Sequence, residues 1–183
     1  KLLKWVILSF VSCFIVIGAL MYFNLGMNKE AKVIGEVNQT FHMVYKEHVG
    51  PYHKIVGSIN EVESQLKELS IACRQTFGEF FDNPERIDPD RLRSSVGCII
   101  EDPNLIAANM PKGLKLVSKS NRKFFKMSFD GSPAIGPLKV YPIAKEQWSE
   151  ESIDQSKNGI IEVYTVSSGG KEMLTEYYFP LQP

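Results

Sequence analysis

The sequence predicts an α+β domain made of two strand–helix–strand–strand units behind one N-terminal transmembrane helix. Three observations carry this. A charge-free apolar run from Trp5 to Phe23 opens the chain. Short stretches of apolar–polar alternation recur in the same order in both halves of the remainder. Each half has one corner, Gly50-Pro51 or Gly131-Ser132-Pro133, where a strand gives way to a helix.

The apolar run spans roughly 28 Å at about 1.5 Å per residue, close to the hydrocarbon thickness of a bilayer. Trp5 lies at one end and Tyr22 and Phe23 at the other, as interfacial aromatics do. It is long for a signal-peptide core and no A-x-A site follows, so a retained anchor is expected. Residues 1–24 are read as the anchor, 25–32 as a tether and 33–183 as the domain. Lys1 and Lys4 precede the span and Lys29 and Lys32 follow it, which leaves orientation open under the positive-inside rule. The expected location is a membrane: the endoplasmic reticulum in a eukaryote, the inner membrane in a bacterium.

The 183 residues carry 21 Lys+Arg against 21 Asp+Glu. With no basic face or tail, nucleic acid is not an expected partner. The cysteines Cys13, Cys73 and Cys98 fit no zinc spacing, and the expectation is reduced core thiols, with a Cys73–Cys98 bridge reserved for an oxidising compartment. His42, His48 and His53 lack companions for a metal site, so no metal and no cofactor is expected. Phosphate-loop and nucleophile-elbow motifs are absent. Asn38-Gln39-Thr40 is a glycosylation sequon.

In order, Lys32 to Val37 reads as an edge strand and Thr40 to Tyr45 as a strand. A helix follows from Pro51 to about Leu69, with Tyr52, Ile55, Val56, Ile59, Val62, Leu66 and Leu69 as its apolar stripe. Thr76 to Phe81 and Leu92 to Glu101 form a long-looped hairpin. The second half offers Leu114 to Val117, Lys123 to Phe129, a helix carrying Leu138, Tyr141 and Trp148 and kinked by Pro142, then Ile160 to Val166 and Met173 to Leu181. Ser167-Ser168-Gly169-Gly170 reads as a turn, and residues 149–158 as a fraying end. Two such units should pair their sheets, bury both helices on one face and leave a groove between them.

The doubled order, Gly50-Pro51-Tyr52 and the ending Ile161-Glu162-Val163-Tyr164 with Thr175-Glu176-Tyr177-Tyr178-Phe179-Pro180-Leu181 resemble the GyrI-like small-molecule-binding family. This is a fold of paired SHS2 modules with pseudo-two-fold symmetry. Tyr45-Lys46, His48, Asp82-Asn83-Pro84, Pro89-Asp90, Arg93, Val96-Gly97 and Val140-Tyr141-Pro142 are similar to its membrane-anchored branch. That branch holds single-pass bacterial proteins and the testis-expressed reticulophagy receptor.

The resemblance implies a carboxylate on the penultimate strand, Glu162, at the floor of a ligand groove. A carboxylate among aromatics attracts a lipophilic cation. Tyr164 shares its strand face, and Tyr52, Tyr141 and Trp148 would line the helix side. The leading expectation is a non-catalytic binding domain for a small lipophilic or cationic ligand, held to the bilayer through residues 5–23. One alternative is a membrane adaptor, like the reticulophagy receptor, that recruits a protein partner. There, Tyr178-Phe179-Pro180-Leu181 fits a loose aromatic-x-x-Leu pattern but lies in an expected strand. The other is a weak esterase-type hydrolase with Glu162 as general base.

Overall fold

Alternation and corner residues do lay out the elements of the computed structural model, which describes residues 2–107, 109–148, 158–166 and 173–181. Helix α1 (Leu2–Asn24) is followed by β1 (Lys32–Val49), a 3-10 turn at Tyr52–Lys54, α2 (Val56–Glu68), β2 (Gln75–Phe80) and β3 (Arg93–Ile99). After a short α3 (Asn104–Ala107) come β4 (Lys115–Asp130), α4 (Gly136–Gln147), β5 (Ile160–Val166) and β6 (Met173–Pro180). The order strand–helix–strand–strand therefore occurs twice. The expected turn at 167–170 and fraying end at 149–157 lie outside the described residues.

All six strands pair antiparallel in the order β1–β3–β2–β5–β6–β4, and β4 closes back onto β1. Each unit contributes its strands in the order first, third, second, and β2–β5 joins the units in the middle. Closure corrects the edge-strand expectation for Lys32 to Val37. That segment and Thr40 to Tyr45 are one strand, 18 residues long, paired to β4 from Lys32 to Tyr45 and to β3 from Met43 to Val49. Register shifts at Val33/Gly35 and Gln39/Phe41 let the strand bend instead of stopping. Leu114 to Val117 and Lys123 to Phe129 likewise merge into β4 through Asn121, whose φ is 48° and whose N–H donates to Thr40 Oγ1 at 3.0 Å.

Strand alternation splits the core into two layers. Inside the barrel, Phe41, Met43, Phe77, Phe124, Ile161, Val163 and Tyr178 pack together. Glu79 is buried there too, accepting from Lys119 Nζ at 2.5 Å and from the Gly159 N–H at 3.1 Å. Burial raises the Glu79 carboxyl and Lys119 opposes that rise. On the outer face, Ile55 just before α2 and Ile59, Val62 and Leu66 within it cover Val44, Val96, Cys98 and Phe80. Further round, α4 covers Phe125, Met127, Phe129, Tyr177 and Phe179 through Val140 and Ala144. Val56 and Leu69 depart from the expected stripe and are exposed.

Leu138 departs more, at 68% exposed. The inward face of α4 runs through Gly136, Val140 and Ala144 to Trp148, a row of mostly small residues spaced by four. Size had suggested the wrong face, because the α4 interface is set by how closely its backbone approaches the sheet.

The cysteine expectation is also corrected: Cys73 and Cys98 form a disulfide, with Cα atoms 5.4 Å apart. It ties the α2–β2 connection to β3 under α2. Closing a loop of 25 residues should contribute about 3 kcal/mol. The paired substitution Cys73→Ala with Cys98→Ala is expected to lower the free energy of unfolding by that amount in urea denaturation, and dithiothreitol should lower the wild type to match it.

Candidate functional site

β5 brings one charge to the outer face. Ile161 and Val163 turn into the barrel, so Ile160, Glu162 and Tyr164 turn toward the helices. Glu162 stands in a row across the sheet, paired with Gly78 on β2 and Tyr177 on β6, which in turn opposes Met127 on β4. Gly78 has no side chain, and the ring of Phe80 folds over that space.

The Glu162 side chain is out of water, the residue being 5% exposed. Its Oε1 accepts from the Tyr141 hydroxyl of α4 at 2.9 Å, and its Oε2 accepts from Tyr164 Oη at 3.0 Å. Among the described residues, no Lys or Arg forms an ion pair with it. Burial therefore dominates: the carboxyl is pushed up to about 7, with the two phenol bonds opposing the rise. Both phenols are held well above their ordinary value by burial and then by the carboxylate charge. Tyr177 is raised in the same way, and the Thr175 hydroxyl beside it partly offsets this.

The walls fix this geometry. The Tyr141 ring meets Tyr177 and Phe179 edge-on, at 6.2 and 5.7 Å. At Gly136 a Cβ would overlap Tyr177 Oη, so only glycine lets the start of α4 sit this close to the sheet.

The five residues singled out from the sequence have different placements. Tyr141 and Tyr164 meet Glu162 directly. Tyr52 lies on the same outer face, its ring 4.6 Å from Phe80, in the cluster against which Tyr164 also packs. Its hydroxyl donates to Asp82 O at 2.8 Å and accepts from Asp82 N at 3.0 Å, and burial pushes it up to about 12. Trp148 is behind the site, against Phe179 at 5.2 Å, with Nε1 donating to Pro180 O at 2.7 Å. Tyr177 was missed, although Thr175, Tyr177 and Phe179 alternate in the sequence and one register assignment would have put Tyr177 beside Glu162.

Asp82 and His42 have structural partners, whereas His48 Nε2 is buried with no hydrogen-bond partner. Asp82 accepts from Arg93 Nε, Arg93 Nη2 and the Arg93 backbone N–H, which lowers its carboxyl. His42 Nδ1 lies 2.9 Å from Ser118 Oγ. Among the described residues, the grouping that could hold a metal is Glu63 with Cys73 and Cys98, and its two sulfurs are bonded to each other. Tyr178 and Phe179 are buried in β6, so the aromatic-x-x-Leu stretch is not on offer to a partner.

No protein-family model matches the sequence, and no curated protein matches it. Solved structures match the fold. An EcmrR–DNA complex, determined by electron cryo-microscopy in EcmrR-RPo, aligns with a TM-score of 0.56 at 13% identity, over 97% of this chain and 69% of that one. The crystal structure of the EcmrR C-terminal domain aligns with a TM-score of 0.52 at 15% identity, over 84% of this chain and 97% of that one. The likeness at these identities is one of fold.

The buried carboxylate makes stability depend on pH. The ordinary glutamate value is 4.5 and the folded one about 7, so between them the folded state holds more protons than the unfolded. Stability is then highest below about pH 4.5 and falls as pH rises through 7, by about 3 kcal/mol in total. Glu162→Gln should remove that fall, which urea midpoints of the two proteins at pH 5 and pH 8 will show. Parallel pH dependences would disprove it.

Proposed function

We propose that this chain is a membrane-anchored GyrI-like domain that binds a small lipophilic cation, without catalysis, between its two helices. The observation that carries this is Glu162: a buried carboxylate, ringed by phenols, with no Lys or Arg paired to it among the described residues. A bound cation would supply the missing charge, and the faces of Tyr141 and Tyr164 would hold its apolar body. Tyr52 would bound the α2 side, and Trp148 would brace the α4 side through Phe179. The EcmrR fold likeness supports a ligand-binding or regulatory domain, and α1, charge-free from Trp5 to Phe23 and exposed, supports the anchor.

The test is thermal unfolding of the full chain in nanodiscs, with tetraphenylphosphonium against neutral triphenylphosphine oxide. The cation should raise the melting temperature at pH 8. Its affinity should fall about tenfold per pH unit below 7, because the proton competes for Glu162. Glu162→Gln should abolish the shift. No shift, or one that survives Glu162→Gln, sinks the reading.

A carboxyl near 7 would also suit a general base, so hydrolysis is the second reading. Glu162-dependent turnover of a p-nitrophenyl ester would establish it in place of the first.

The Cys73–Cys98 bridge favours the oxidising side of the membrane for the domain. Asn38, exposed on β1, would then be available for glycosylation in a eukaryotic host. That placement weighs against recruitment of cytosolic partners in the manner of a reticulophagy receptor. Expressed in eukaryotic cells, the chain should lose mass on glycosidase treatment, and Asn38→Gln should not. An unglycosylated protein that alkylates at both cysteines without prior reduction would place the domain in the cytosol.

A further inference from the structure

The segment expected to be a tether makes contacts with both α1 and the barrel. Helix α1 ends at Asn24, and the next turn closes on it: the Gly26 N–H donates to Phe23 O at 3.2 Å and the Met27 N–H to Tyr22 O at 3.1 Å. With Gly26 at φ 76°, this is the paired-bond helix stop that sets the direction of the departing chain. The same turn is fastened to the barrel. Leu25 O accepts from the Ser132 N–H at 3.2 Å, and Lys29 Nζ meets Asp130 Oδ1 at 3.1 Å. Gly26 is buried against Gly131, where a Cβ would stand 3.1 Å from the Gly131 Cα.

This bears on where the domain can be. Tyr22 and Phe23 mark the level at which α1 leaves the hydrocarbon. Leu25 is two residues further on, so Gly131 and Ser132, bonded or packed to that turn, lie at headgroup depth. Other parts of the same end follow by register. Lys32 opposes Ser128 and Asp130 opposes Leu174, while α4 begins at Gly136. Four large apolar side chains are exposed on these segments: Leu138 at 68%, Ile34 at 51%, Val33 at 46% and Leu174. Single exposed apolar residues are ordinary. These four, however, belong to the chain starts and ends gathered around the exit of α1.

We propose that this end of the barrel is seated on the bilayer, with Leu138, Val33, Ile34 and Leu174 in contact with lipid. The occupant is lipid because the face is continuous with the membrane helix through a turn that is bonded to the barrel at Ser132 and Asp130. The proposal rests on the anchor reading of α1 and is independent of the ligand at Glu162.

The test uses the full chain in vesicles of phosphatidylcholine brominated on the acyl chain near the glycerol, with Trp5 and Trp148 left in place. Quenching of the native emission reports insertion of α1. Leu138→Trp should add emission that loses roughly half its intensity to bromine. Val49→Trp, at the far end of β1 and 67% exposed, should add emission that is not quenched. If native emission is quenched but Leu138→Trp behaves like Val49→Trp, the seating is wrong while the anchor stands. If native emission is unquenched, both fall. A blue-shifted but unquenched Leu138→Trp signal means that protein covers this face, and overturns the proposal.

Discussion

The domain is organised around a carboxyl group that water does not reach. Glu162 has no lysine of the kind that Glu79 has in Lys119 inside the barrel, so burial holds its proton on up to about pH 7. Two phenols hold its oxygens, and hydroxyl groups cannot replace the hydration of a carboxylate in full. That position lies in the row Gly78–Glu162–Tyr177, between a residue with no side chain and one that packs beneath Gly136. Every element near the site has a task in keeping this arrangement: β5 aims the carboxylate outward, β6 supplies the tyrosine beneath α4, and Phe179 sets Tyr141.

Much of this was legible in the sequence. Period-two alternation located most of the strands, and the two corners located both helices. Glu162 was pointed to by the family resemblance, and strand alternation put Tyr164 on its face. The bulges were not legible, because a polar stretch such as Ser118 to Arg122 reads as a break when it is only the solvated part of a continuing strand. The face of α4 was misread for a related reason: large residues draw attention, yet Gly136 and Ala144 make the contact. The disulfide and the β1–β4 seam depend on which segments meet, and local pattern does not carry that information.

Several residues with the look of chemistry are scaffold. Asp82, Arg93 and Tyr52 fasten the β2–β3 loop to the 3-10 turn before α2 through one carboxylate, one guanidinium and one hydroxyl. The corner opened by Gly50-Pro51 thereby acquires a rigid far side. Arg93 is mostly exposed and pairs with Asp82 in bidentate fashion, a geometry that fixes orientation more than it adds stability.

Closure of the sheet matters for a reason unrelated to Glu162. On the anchor reading proposed for α1, copies of the chain share a plane, so neighbouring domains would meet far more often than in free solution. An open sheet there would present bare N–H and C=O groups to its neighbours and invite strand-by-strand polymerisation. Because β4 is hydrogen-bonded back to β1, each copy keeps its backbone to itself. The long, bulged seam is thus a form of insulation, and it allows dense packing on a surface without fusion of one sheet into the next.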